Sequence, residues 1–180
     1  DELYMIMKVI EGQTLAQLIK NYHENDRPGS ELRSLLGILV KVSEAMEYAH
    51  SKGILHRDIK PDNIMVGGHG EVMVMDWGIA RDLSEKDDIE ELKQDARALA
   101  TSDLEGMGLT QAGAVLGTPG YMPPEQAGGE EVDARSDIFA LGAVLTEVLT
   151  KELPVVGDSA LNRVVQTCEG NIRGPRDIDH

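Results

Sequence analysis

The sequence predicts an α+β chain, mostly helical, with a small β-hairpin near its centre. Apolar residues recur at helical spacing in long stretches toward both ends, two short β-forming runs meet at "GGHG", and the most polar loops lie between these elements. Taken in order, residues 3–9, "LYMIMKV", are rich in β-formers and run into the turn signal "EGQ", which gives a strand. Thr14 opens "TLAQLIKNY", where Leu15, Leu18 and Ile19 have the spacing of a short amphipathic helix. "ENDRPGS" reads as a loop. Ser30 reads as the N-cap of a long helix through Ser51, with Leu32, Leu35, Leu36, Leu39, Val40 and Met46 on one side. Gly53 stands where a helix commonly ends in a positive φ.

Strands at 64–66 and 72–75 flank "GGHG", a hairpin signal. Residues 81–105 are strongly acidic and read as a solvated, mobile insertion, the alternative being a helix through Ile89, Leu92 and Ala96. "GTPGYMPPEQAGG" is a loop by its glycines and prolines. "SDIFALGAVLTEVLT" is apolar nearly all round, the mark of a buried helix, and a last helix over 160–168 carries Leu161, Val164 and Val165.

Hydrophobic residues make up 41% of the 180, a globular composition, and aromatics only 3%, so the core rests on Leu, Ile, Val and Met. A formal net charge of −15 argues against nucleic acid or an anionic membrane surface as partner. The single cysteine, Cys168, excludes an intrachain disulfide and fits a reducing compartment; a buried thiol and a cytoplasmic location are expected. No apolar run is long enough to span a bilayer, and no stretch reads as a signal peptide. The chain opens on Asp1, leads at once into a strand and ends at "RGPRDIDH", which suggests a piece of a longer protein.

The chemistry concentrates in "HRDIKPDN", residues 56–63, a charged loop between apolar flanks. Asp58 and Asn63 fit H-R-D-x-x-x-x-N, and "DWG" at 76–78 follows the hairpin. Two carboxylates and an amide offer hard oxygen ligands, too few for a closed cage, which suits Mg²⁺ sharing its shell with water and substrate phosphates. Lys60 supplies positive charge where a phosphoryl group gathers negative charge, and Asp58 can accept or aim a hydroxyl proton. These are the parts of in-line phosphoryl transfer from a nucleotide to an alcohol.

The chain resembles the C-terminal lobe of a eukaryotic-like serine/threonine protein kinase of the kind also found in bacteria, over about residues 3–149. "HRDIKPDN" resembles the catalytic loop, "DWG" stands for D-F-G, "GTPGYMPPEQ" resembles the end of the activation segment, "SDIFALGAVL" the buried central helix, and "YMIMKVIEG" the hinge that reads adenine. The resemblance implies a protein-kinase-like fold, ATP and Mg²⁺ as cofactors, and Ser/Thr hydroxyls of proteins as acceptors. It makes Asp58 the catalytic aspartate, Lys60 a contact to the transferring phosphate, and Asn63 and Asp76 the Mg²⁺ ligands. Met7 would be the gatekeeper, with Lys8 and Ile10 bonding adenine through their backbones. Arg57 would receive a phosphorylated loop residue, for which Thr110 is the first candidate and Thr101 and Ser102 the next. Lys60 with Thr118 favours Ser/Thr over Tyr as acceptor, and Asp62 hints at basic substrates. Gly78 is expected where a side chain would obstruct the turn, Glu125 as a buried ion-pair partner, and Asp137 as a carboxylate capping backbone amides near the catalytic loop. His56 is expected to pack rather than react.

The resemblance also shows departures. The family's Gly-rich loop, strand lysine and regulatory-helix glutamate have no counterpart here, nor has the arginine that pairs with Glu125, so residues 1–180 are expected to be a partial kinase domain, inactive alone. Residues 76–125 form an activation segment longer than usual, and Trp77 replaces the usual phenylalanine with a larger wedge. Two alternatives remain: a pseudokinase scaffold, disfavoured by retention of Asp58, Lys60, Asn63 and Asp76, and a small-molecule phosphotransferase, disfavoured by Arg57, Lys60 and "GTPGYMPPE".

Overall fold

The computed structural model describes residues 11–25, 29–83 and 116–178. The strand expected at 3–9 lies outside them, as does most of the acidic stretch. The described chain is α+β and mostly helical.

Strand β1 (Gln13–Thr14) leads directly into helix α1 (Leu15–Glu24). Thr14 caps the helix reciprocally: its hydroxyl accepts from Gln17 N at 3.2 Å, and its own N–H donates to Gln17 Oε1 at 3.0 Å. Leu15, Ile19 and Tyr22 form the buried stripe.

Helix α2 (Gly29–Ser51) starts one residue before the expected cap. Ser30 is therefore helical rather than N-cap, and its carbonyl accepts from the Ser34 hydroxyl at 3.1 Å. A Cβ at Gly29 would meet nothing, so no crowding opposes the earlier start. Leu35, Ile38, Leu39, Val42, Met46 and Ala49 are buried at three- and four-residue intervals, whereas Val40 is exposed. Gly53, at φ +76°, reverses the chain, its N–H donating to His50 O at 2.9 Å.

Strand β2 (Ile54–Leu55) follows, and after a 3₁₀ turn (Pro61–Asn63) come β3 (Ile64–Val66) and β4 (Val72–Val74), the expected hairpin. Its outer edge is occupied by β1, giving an antiparallel sheet in the order β1–β3–β4 with Thr14 opposite Met65 and Ile64 opposite Val74. The acidic stretch does not begin as a free insertion. Arg81–Asp82 form β5, paired antiparallel with β2, and Leu83 N donates to Gly53 O at 2.8 Å. Backbone pairing, which composition does not report, overrides the charge signal there.

Beyond residue 115 come α3 (Pro124–Ala127), α4 (Ala134–Thr150), α5 (Ala160–Cys168) and α6 (Pro175–Ile178). Helix α4, capped by Asp133, packs against α2 and buries Ala140, Ala143, Val144 and Val148; Ile138 alone among its large apolar residues is exposed. The core joins α1, α2, α4 and the hairpin through Leu15, Leu39, Val42, Met46, Ile64 and Val144. Cys168 is exposed, contrary to the expected burial, because the α5 face at Thr167 is the one turned inward. No described helix is long and apolar enough to cross a membrane.

Met46, fully buried between helices, and Val165, exposed on α5, make a matched contrast. Met46→Ala is expected to destabilise the protein by about 2–5 kcal/mol, and Val165→Ala to stay within about 0.5 kcal/mol of the unaltered chain. Urea unfolding of the two variants checks this.

Candidate active site

The loop 56–63 is held from beneath by one carboxylate. Asp137, in the first turn of α4 and 1% exposed, accepts from His56 N through Oδ2 and from Arg57 N through Oδ1, both at 2.9 Å. His50 Nε2 approaches Oδ2 at 2.7 Å. These bonds hold Arg57 at φ 70°, a left-handed conformation that disfavours a residue with a Cβ, and so set the direction in which Asp58 leaves.

His56 is fully buried and links two loops. Its Nδ1 accepts from Asp58 N at 3.2 Å and its Nε2 lies 2.9 Å from Met75 O. An amide can only donate and a carbonyl only accept, so the ring proton sits on Nε2. The hairpin completes the approach: Met75 N donates to Asn63 O at 2.8 Å, bringing Asp76 beside the 3₁₀ turn.

Asp58, Lys60, Asn63 and Thr118 form a closed network. Lys60 Nζ donates to Asp58 Oδ2 and Thr118 Oγ1, both at 2.8 Å, and the Thr118 hydroxyl donates to Asp58 Oδ1 at 2.6 Å. Asn63 Nδ2 donates to Asp58 O at 2.9 Å and to Asp58 Oδ2 at 3.1 Å. Thr118 arrives from 60 residues along the chain. Asp58 and Lys60 are largely shielded from water, where their attraction is screened less than at a surface.

Thr118 is steered by Gln126, whose buried amide donates to Arg57 O at 2.6 Å and Leu116 O at 2.7 Å, stitching the returning chain to the loop. Gly117, at φ +112°, passes so near that a Cβ would overlap that amide. Glu125 is half-buried rather than buried and accepts from the Ser136 hydroxyl at 2.9 Å; the arginine that the resemblance pairs with it has no counterpart in residues 1–180. Gly78 also differs from expectation. The left-handed residue of its turn is Asp76, at φ 60°, and a Cβ at Gly78 would stand 3.2 Å from Asp76 Oδ1, crowding the carboxylate rather than the backbone.

On the flank, Tyr121 donates to Glu147 Oε2 at 2.6 Å. Burial and the adjacent Glu147 carboxylate push the Tyr121 hydroxyl far up, so it remains a donor; burial also raises Glu147, opposed by the bond from Tyr121. The negative charge of exposed Asp62 reaches both. Met7, Lys8, Ile10, Thr101, Ser102 and Thr110 lie outside the described residues.

Gln126, His50, Tyr121 and Glu147 were not foreseen as site residues. Gln126 directly follows a motif glutamate, and its buried, doubly bonded amide leaves no mark in local sequence. His50 lacks ligand spacing because its partner is a carboxylate 87 residues away.

The oxygen donors suit a divalent cation. Asn63 spends its Nδ2 on Asp58, and among the described residues its Oδ1 accepts no hydrogen bond. Asp76 is exposed beside it. Among the described residues no cluster of three or more His, Cys, Asp or Glu is placed to hold a metal, so a cation here must complete its shell with water or substrate oxygen, as Mg²⁺ commonly does.

Comparison with known proteins agrees with this arrangement. The protein kinase domain profile matches residues 1–177. A probable serine/threonine-protein kinase of Streptomyces coelicolor is 39% identical over 178 residues, covering 98% of this chain and 23% of the relative. Serine/threonine-protein kinase PknB of Mycobacterium tuberculosis is 39% identical over 91% of this chain and 22% of its own, and PknD of Protochlamydia amoebophila 37% identical over 86% and 16%. The chain thus spans about a fifth of the length of these curated relatives. It belongs to the protein kinase domain family.

Proposed function

We propose that the protein is a serine/threonine protein kinase that transfers the γ-phosphate of ATP to Ser/Thr hydroxyls of protein substrates. One observation carries the reading: the Asp58 carboxylate already accepts from an alcohol, the Thr118 hydroxyl, with Lys60 bonded to both. An acceptor serine or threonine presents the same group. Asp58 orients that hydroxyl and takes its proton, and Lys60 lies against the phosphoryl group in transit. Asn63 and Asp76 are the residues that would hold Mg²⁺. Bound with ATP, the cation neutralises charge on the phosphates. The rest is positioning, which the carboxylate of Asp137 and the amide of Gln126 supply by fixing the loop backbone.

The same reading assigns Met7, Lys8 and Ile10 to the adenine contact and residues 76–125 to the activation segment. Arg57 is the cation that receives phosphate on Thr110, a modification adding about −1.5 to −2 charges that orders the segment. The acidic flank of Asp62 and Glu147 supports basic substrates.

Asp58→Asn in the full-length protein is expected to lower kcat by about 10²- to 10⁴-fold, with magnesium–ATP affinity nearly unchanged, because the near-isosteric amide cannot take the proton. Normal turnover in that variant sinks the assignment and favours a scaffold role. Asp76→Asn is expected to act differently, raising the Mg²⁺ concentration needed for nucleotide binding, as titration calorimetry would measure. Mass spectrometry of active protein is expected to find phosphate on Thr110; its consistent absence there would rule out this choice of site.

A further inference from the structure

We infer that Gln126 is a positioning residue for the side of the site where the substrate hydroxyl enters: its amide holds Thr118 against Asp58 and leaves the cation side untouched. The inference deepens the kinase reading above and rests on it.

Gln126 stands in the four-residue helix α3, and only 5% of it is exposed. Its Nε2 carries two protons, and both go to carbonyls of separate segments, Arg57 O at 2.6 Å and Leu116 O at 2.7 Å. Carbonyls only accept, so the nitrogen of the amide, not its oxygen, must face this gap. The two carbonyls are matched in place. Arg57 O belongs to the peptide bond that leads into Asp58, and Leu116 lies two residues before Thr118. The Thr118 hydroxyl donates to Asp58 Oδ1 at 2.6 Å, so amide and hydroxyl form two successive cross-links between the same two segments. Between them Gly117, at φ +112°, leaves the room the amide occupies, and a Cβ there would also stand 3.1 Å from Arg57 O.

The restraint is one-sided. Without the amide, Asp58 keeps other supports, since Arg57 N remains on Asp137 and Asp58 N on His56. The cation side is tied separately, through Met75 N on Asn63 O and His56 on Met75 O. Upstream of Thr118, the segment is joined to the loop by the bond that Leu116 O takes from Gln126. Loss of that bond therefore acts on the wall that a Ser/Thr hydroxyl meets, and not on the nucleotide.

The test compares Gln126→Met, of similar length but without an N–H, and Gln126→Glu with the unaltered full-length protein. In hydrogen–deuterium exchange without nucleotide, Gln126→Met is expected to speed exchange over 116–121 by about ten- to thirtyfold, the factor that two neutral hydrogen bonds represent, and to spare 74–78. In steady-state kinetics it is expected to lower kcat/KM for a basic protein substrate about tenfold, with the KM for magnesium–ATP within about twofold. Gln126→Glu sets a carboxylate against two carbonyls; once protonated, that group donates one bond again. Its deficit relative to the unaltered protein is expected to shrink about threefold or more between about pH 8 and about pH 6. The ionisable groups that line the space beside it, Arg57, Asp58, Tyr121 and Asp137, with Glu125 next in the chain, are common to both proteins, so the ratio reports the introduced carboxyl. Faster exchange over 116–121 that spares 74–78, with the loss confined to the protein substrate, supports the proposal. Unchanged exchange there, equal losses for both substrates, or a pH-independent deficit in Gln126→Glu overturns it. An unaltered protein that binds magnesium–ATP but phosphorylates no Ser/Thr hydroxyl overturns the kinase reading instead, and the exchange measurement still decides whether Gln126 holds Thr118.

Discussion

The site depends on a single buried carboxylate. Asp137 sits at the start of α4, where it is out of contact with water, and its two oxygens take up the amides of His56 and Arg57 and the imidazole of His50. A buried carboxylate without donors costs several kcal/mol, whereas one with charge-assisted bonds from three groups is stably accommodated. The arrangement is therefore mutual. The loop satisfies Asp137, and Asp137 holds Arg57 in a backbone conformation it would otherwise leave. Helix α4 in turn packs on α2, and Val144 and Met46 belong to one buried cluster, so the loop geometry is anchored in the hydrophobic core.

Built on that anchor, the polar groups form two layers. His56 lies beneath, joining the amide of Asp58 to the carbonyl of Met75. Above it, Asp58, Lys60, Asn63 and Thr118 satisfy one another almost completely. A network so closed gives each member little freedom to rotate, which suits a reaction whose main demand is alignment. Gln126 secures the outer wall, since the segment that delivers Thr118 is held to the loop by its two amide bonds.

The charge distribution follows the same logic. The one lysine of the network is enclosed by acceptors, and the flank carries Asp62 and the half-buried Glu147, held by Tyr121. Glu147 is kept in place by burial and by the Tyr121 bond, whereas Asp62 stays open to water, so the negative charge of this flank faces outward.

The sequence by itself determined the elements with strong local signals. Leu15, Leu18 and Ile19 after Thr14 announce a short helix, the apolar period of 30–51 announces a long one, and "GGHG" between two β-forming stretches announces a hairpin, because each rests on contacts within a few residues. It also named Asp58, Lys60, Asn63, Asp76 and Thr118, through spacing and family resemblance rather than geometry. Tertiary structure alone decided the pairing of Arg81–Asp82 with β2, the exposure of Cys168, the hydroxyl partner of Glu125, and the left-handed conformation of Asp76. It alone joined Thr118 to Asp58 and His50 to Asp137. The last two are contacts between residues 60 or more apart, the β2 pairing spans more than 25 residues, and the exposure of Cys168 is a choice of which helix face turns inward; no periodicity in a single stretch encodes these. The chemistry was legible because its residue types are few and closely spaced; the scaffold that aims them was not, because it is built from distant parts.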